Sequence, residues 1–295
     1  MADKIQQLIK GLKSGNFKAI ARVLSLIENE SDGSEVILKG IEIKQTPVIG
    51  ITGPPGAGKS TLLNAIINQL AQNFKIAVLA VDPTSPFNLG SLLGDRIRMT
   101  DQFNNGNVFI RSIATRGSLG GLSVKTIEMC DVLKAADFAY IFVETVGVGQ
   151  SEIEIAGLAD LTIVVLVPEA GDDIQSIKSG LMEVADVFVV NKADREGADA
   201  FSNHLKMMTH GGKNVPILKA IASQSTGVEE IISEISKSSK IKNEKRAYLL
   251  TEKAWQLIQN HRMKDLKKEK LRLEITEALK QPFNLYQFIE QFKNS

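Results

Sequence analysis

The chain is poor in the residues that build covalent staples and closed metal cages. It has one cysteine, Cys130, so no internal disulfide can form, and a reducing, cytoplasmic setting is expected. Its three histidines, His204, His210 and His261, stand in no ligand spacing with one another or with the cysteine. A zinc or nickel site built on His and Cys is therefore not expected. No apolar run approaches the length that crosses a bilayer, and the first thirty residues lack the apolar stretch and cleavage site of a secretory signal. Neither positive nor negative residues dominate, with 35 Lys/Arg against 34 Asp/Glu. The formal net charge is +1, which gives no pull toward nucleic acid or a membrane surface, and neither is expected as a partner. Internal repeats and low-complexity tracts are absent.

What remains is ordinary globular material: 295 residues, 43% apolar and 23% charged. From Pro47 to about Lys237, short apolar runs alternate with helical patterns. The runs VIGIT, IAVLAVD, VFIRSI, YIFVET, LTIVVLV, VFVVN and VPILKAIA are near-continuous, as strands buried on both faces of a parallel sheet should be. Between the first two, STLLNAIINQL sets Leu62, Leu63, Ile66, Ile67 and Leu70 along one helical stripe. The pattern predicts an α/β fold, a doubly wound and mostly parallel sheet with ligands at the carboxyl ends of the strands. Helical extensions flank it, giving segments 1–44, 45–238 and 239–295. Residues 237–280 carry thirteen Lys/Arg against six Asp/Glu, a local surplus of seven positive charges. Such a run reads as solvated helix faces or as a docking surface for an acidic partner.

Gly53-Pro54-Pro55-Gly56-Ala57-Gly58-Lys59-Ser60-Thr61 matches G-x-x-x-x-G-K-[ST] between a strand and a helix, the context that this phosphate loop requires. Its backbone N–H groups and the helix N-terminus attract phosphate. Lys59 is expected to reach the β- and γ-phosphates, and the Ser60 hydroxyl to ligate Mg²⁺. After a late strand comes Asn191-Lys192-Ala193-Asp194, an N-K-x-D tetrapeptide. The Asp194 carboxylate can accept from guanine N1–H and the 2-amino group, whereas adenine N1 would leave it unpaired. Asn191 would bind the loop and the base edge, and Lys192 would lie along the base. Ala222 and Ser223, in a loop with Ile221 where serine is common, are expected to add backbone contacts to guanine. These features predict a P-loop GTPase using GTP/GDP and Mg²⁺.

Three acids are candidates for the metal or its water shell: Asp82 at the end of IAVLAVD, Asp95 in the following loop, and Glu144 at the end of YIFVE. Glutamate stands at that third place where aspartate is usual, and its extra methylene suits a shell shared with Asp82 and Asp95. One of the acids could instead polarise the attacking water. Gly147, three residues on, is a candidate γ-phosphate contact, with Gln150 beyond it as a possible water-orienting group. The loop PEAGDDIQSIK adds Asp172, Asp173, Gln175 and Lys178 at another strand end. Lys59, Asp95, Glu144 and Lys178 make up the expected catalytic set.

The segments VDPTSP, SLLGDRIRM, FIRSIATRGSLGG, VETVGVGQSE, PEAGDDIQSIK and VNKAD together resemble the methylmalonyl-CoA mutase-associated GTPases, the MeaB or ArgK type that includes the human cobalamin-disorder protein A. The resemblance extends to GNFKAIARVLSLIEN near the start of the chain. It implies a slow GTPase and chaperone, typically a homodimer, that gates adenosylcobalamin loading and protects or reactivates an adenosylcobalamin-dependent acyl-CoA mutase. It also implies that Asp95 and Glu144 belong to the metal site, and that Gln175 and Lys178 lie in an extra switch coupling the partner to hydrolysis. Three other readings share the phosphate loop: a small-molecule kinase, which would need an acceptor pocket with its own base; a nickel-insertion GTPase, which would need His/Cys ligands; and a nucleotide-dependent scaffold that binds GTP without meaningful hydrolysis.

Overall fold

The computed structural model describes residues 2–82, 102, 104–114, 124–145, 151–169, 180–209, 215–237, 243, 245–266 and 268–292. Seven strands form one sheet: β1 (Val48–Thr52), β2 (Ile76–Asp82), β3 (Val108–Ala114), β4 (Tyr140–Glu144), β5 (Leu161–Leu166), β6 (Val187–Val190) and β7 (Ile217–Lys219). Their order is β3-β2-β4-β1-β5-β6-β7, and every neighbouring pair is parallel. Each of the seven apolar runs read from the sequence supplies one strand. β1 lies near the middle of the sheet, and all five of its residues are buried, which is why its sequence shows no polar alternation.

Helices cover both faces. Alternate side chains of a strand point to opposite faces, and the core divides accordingly. Ile49, Ile51, Ile76 and Val78 pack with α4 (Lys59–Leu70) and α9 (Val228–Lys237). Val48, Ala77, Leu79 and Val81 pack on the other side with α5 (Val124–Ala135), α6 (Ser151–Leu158) and three N-terminal helices. Those are α1 (Ala2–Lys13), α2 (Phe17–Glu28) and α3 (Ser34–Gly40). A third cluster joins β5 and β6 to α7 (Leu181–Val184) and α8 (Ala198–Thr209).

The N-terminal helices are part of this packing. The Asn16 side chain caps α2 by accepting from Ala19 N at 3.0 Å. Ile20, Val23, Leu24 and Ile27 of α2 are buried, each contributing roughly 2 kcal/mol from apolar burial before entropy is counted. Phe17 meets Phe109 and Phe138 with ring centroids 5.5 and 6.1 Å apart. Charged groups close the edge of this layer. Arg111 of β3 lies 2.5 Å from Glu28, and Lys125 of α5 lies 2.9 Å from Glu30 and 3.0 Å from Glu128.

The chain divides into two compact units, residues 1–249 and 250–295. The boundary falls within α10 (Lys245–Arg262). The second unit contains the rest of α10, α11 (Lys268–Ala278) and α12 (Leu285–Ile289). Phe283, Phe288 and Phe292 meet in series there as tilted ring pairs, with centroids 5.5 and 5.6 Å apart. Its helices expose large apolar side chains, among them Trp255, Leu273, Leu279 and Tyr286. Among the described residues, no helix is long and apolar enough to cross a membrane.

Candidate active site

β1 and α4 are joined by residues 53–58, at the carboxyl end of a central strand that is buried along its whole length. The bend depends on glycine. Gly53 has φ of +137°, and a Cβ there would lie 2.0 Å from the carbonyl oxygen of Val165 on the neighbouring strand. Gly58, with φ of +86°, precedes α4, and a Cβ on it would lie 2.4 Å from Nδ2 of Asn191. Neither position accepts a side chain without displacing its neighbour. Lys59, buried in the first turn of α4, donates to the carbonyls of Gly53 at 2.9 Å and Pro54 at 3.1 Å. Its charge is thereby held inside the loop, where the helix N-terminus also favours an anion.

Next to Lys59, the Ser60 hydroxyl donates to Oε1 of Glu144 at 2.6 Å. Both side chains are buried. Strand order makes this contact: β4 lies beside β1 with Glu144 in register with Ile51. The bond directs the serine proton to the carboxylate and leaves the Oγ lone pairs for another partner. One residue on, Thr145 N donates to Ile51 O at 3.0 Å, and its hydroxyl donates to Thr52 Oγ1 at 2.8 Å. The two strand ends are thus tied beside the phosphate loop. A serine hydroxyl and a carboxylate are hard oxygen donors, which fits Mg²⁺. Among the described residues, no three His, Cys, Asp or Glu side chains cluster as a cage, and Mg²⁺ needs few protein ligands when phosphate and water complete its shell.

On the other side of the loop stands Asn191, 2% exposed. Its Nδ2 donates to Ala57 O at 2.8 Å, and its Oδ1 accepts from Ala222 N at 3.1 Å. One amide therefore fastens three loops together. Lys192 follows with φ of +55°, and Ala193 N donates to Ala220 O at 3.1 Å. This turn leaves Asp194 exposed.

The family model described as methylmalonyl Co-A mutase-associated GTPase MeaB matches residues 20–278. The chain belongs to this family. A Pyrococcus horikoshii relative, named as a GTPase, is 46% identical over 251 residues, 81% of this chain and 79% of its own. The methylmalonic aciduria type A homolog of Mus musculus, a mitochondrial protein, is 36% identical over 207 residues, 64% of this chain and 50% of that protein. A crystal structure named as a LAO/AO transport system kinase aligns with a TM-score of 0.70 at 25% identity, covering 99% of this chain and 97% of that one.

This MeaB-family protein is thus a P-loop GTPase on a mixed α/β fold. Among the residues singled out in its sequence, the structure gathers Gly53, Pro54, Pro55, Gly56, Ala57, Gly58, Lys59, Ser60 and Thr61 at the carboxyl ends of the central strands with Glu144, Asn191 and Ala222. Lys192, Asp194 and Ser223 follow in the adjoining turns. Asp82 ends β2, two residues beyond Ala80, which is in register with Glu144. Asp95, Gly147, Gln150, Asp172, Asp173, Gln175 and Lys178 lie outside the described residues. The base-edge contact expected of Asn191 competes with backbone, since both ends of its amide are engaged by the loops.

Sequence reasoning missed a pair at these strand ends. Arg195, directly after the N-K-A-D turn, forms an ion pair with Glu169, which follows β5. The Arg195 guanidinium beside it holds the Glu169 carboxyl below the usual carboxylate range. An arginine after N-K-x-D and an acid in P-E-A-G were visible separately. Nothing local linked them.

Proposed function

We propose that this GTPase gates adenosylcobalamin loading onto an adenosylcobalamin-dependent acyl-CoA mutase and protects or reactivates that enzyme, working with Mg²⁺ and as a homodimer in the cytoplasm. The observation that carries the reading is the Ser60–Glu144 contact beside the phosphate loop, in a chain whose family match runs from residue 20 to 278. The family description names methylmalonyl-CoA mutase, and one relative is named for methylmalonic aciduria. Both point toward an acyl-CoA mutase as the client.

In this reading Lys59 binds the β- and γ-phosphates, and the 53–61 backbone cradles them. Ser60 Oγ and Glu144 hold the metal or its water, with Asp82 and Asp95 completing the shell and Gly147 meeting the γ-phosphate. When bound, Mg²⁺ neutralises charge on the phosphate oxygens. Glu144 keeps the Ser60 proton away from that cation. Asp194 reads guanine, Lys192 flanks the base, and the Ala222 and Ser223 backbone borders it. Lys178 and Gln175 couple the client to hydrolysis. The number of exposed apolar residues in the 250–295 unit, Trp255 and Leu273 among them, supports self-association through this unit.

The test is a pull-down from the native cell with a non-hydrolysable GTP analogue, followed by turnover assays with the captured client. A cobalamin-dependent mutase subunit should be enriched, and adding it should raise GTP hydrolysis. Enrichment of unrelated proteins with no change in rate would remove the chaperone reading. Because one solved relative carries a kinase name, the assay should also follow the transferred phosphate. Release as inorganic phosphate is expected, and transfer to a small acceptor would favour the kinase.

A further inference from the structure

Helix α6 starts at Ser151, directly after the stretch 146–150 that includes Gly147. Its other end, at Leu158, carries the last-turn carbonyls that no intrahelical N–H can reach. Side chains more than eighty residues downstream supply the missing donors. Asn243 Nδ2 donates to Ala156 O at 2.8 Å, to Gly157 O at 3.3 Å and to Ala159 O. Arg246 Nη2 donates to Leu158 O at 2.8 Å. The same guanidinium pairs with Asp160 at 2.9 Å, and the second oxygen of Asp160 accepts from Val48 N at 2.8 Å.

Asn243 also starts the next helix. Its Oδ1 accepts from Lys245 N at 2.9 Å and Arg246 N at 3.2 Å, which caps α10. One asparagine therefore closes the C-terminus of α6 and the N-terminus of α10. The Arg246 cation sits at the negative end of α6, where it is favoured. Packing reinforces the joint, because a Cβ on Gly157 would lie 3.0 Å from Cβ of Leu249.

α6 is well suited to carry movement from one end to the other. It is eight residues long, with Ile155 and Leu158 buried. It lies so close to β1 that a Cβ on Gly50 would come within 2.5 Å of Ile155. A short helix packed this tightly shifts as a unit instead of bending. α10 then continues to Trp255, the one tryptophan of the chain, which is 60% exposed.

We propose that Asn243 and Arg246 are positioning residues that couple the nucleotide site, through α6, to α10 and the C-terminal helices. The coupling rests on the reading of Gly147 as a γ-phosphate contact at the start of α6. Nucleotide that repositions α6 changes the surroundings of α10, and whatever engages the C-terminal helices acts back on nucleotide affinity by the same factor.

Trp255 is a built-in reporter for the test. Acrylamide quenching of its fluorescence is measured on the full chain at one protein concentration, with GDP and with a non-hydrolysable GTP analogue. The wild type should show quenching constants that differ by about 1.5- to 3-fold between the two nucleotides, as the populations around the indole shift. Asn243→Asp keeps the acceptor that caps α10 and sets a carboxylate against the α6 carbonyls. It should abolish the difference while leaving GDP affinity within about threefold of wild type. Arg246→Gln, a second variant should the first fold poorly, should reduce the difference in the same direction. Full retention of the difference in both variants would overturn the proposal. So would its absence in a wild type that still hydrolyses GTP, or loss of GDP affinity in step with the signal, because the joint would then merely support the site. A Gly147→Ala variant separates the two readings. If it keeps a difference that Asn243→Asp loses, the joint stands and the role of Gly147 falls.

Discussion

Ser60 and Glu144, eighty-four residues apart in sequence, meet through a 2.6 Å hydrogen bond at the start of α4. The bond depends on a carboxylate as acceptor. Glu144→Gln keeps the size of the side chain but removes its charge and can turn a donor toward the serine. GTP hydrolysis should fall by about 10- to 100-fold, as when a partner of a metal ligand is lost, with GDP affinity changed little. Single-turnover hydrolysis beside equilibrium GDP binding checks it. Unchanged hydrolysis would remove Glu144 from the mechanism.

Asn191 and Asp194 belong to one tetrapeptide but should fail in different ways. Asn191→Ala strips partners from Ala57 O and Ala222 N in a buried setting, at about 1–3 kcal/mol for each group left unpaired. Thermal unfolding should shift down by several degrees, roughly 2–4 °C per kcal/mol for a unit of this size. Asp194 is exposed, so Asp194→Ala should leave stability within about 0.5 kcal/mol. Its loss should instead appear as collapse of the preference for guanine over adenine nucleotides in competition binding.

Gly56 and Gly58 offer a matched comparison in the phosphate loop. Both have positive φ, +77° and +86°, yet a Cβ on Gly56 meets nothing within 4 Å, while one on Gly58 meets Asn191 at 2.4 Å. Alanine at either site incurs the left-handed backbone penalty, about 1–2 kcal/mol. Only Gly58→Ala also disturbs the Asn191 strut. It should be the more destabilising of the two in denaturant melts and should weaken GDP binding further.

Burial pushes the Cys130 thiol up to about 12, from an ordinary value of 9.0. The folded protein keeps this proton where the unfolded chain would release it. The thiol should therefore cost no stability below pH 9 and should lower stability as pH rises from about 9 toward 12. Native protein at pH 8 should resist iodoacetamide, with alkylation rising sharply across the denaturant transition. Rapid labelling of folded protein would contradict the burial of this side chain.

Local pattern carried a good deal of this protein. Strands buried on both faces must be continuously apolar, and so VIGIT, IAVLAVD and their five counterparts can be read as a parallel sheet from the sequence alone. The phosphate loop and N-K-A-D were equally legible, because each performs its chemistry with backbone and side chains a few positions apart. Tertiary structure alone decided which of these segments touch. Asn191 holds Ala57 from 134 residues away, Arg195 pairs with Glu169 across two loops, and Asn243 joins two helix ends. Such contacts depend on strand order and on the depth at which helices pack. Those are set by the summed burial of both faces of the sheet, and no single stretch of the chain encodes them.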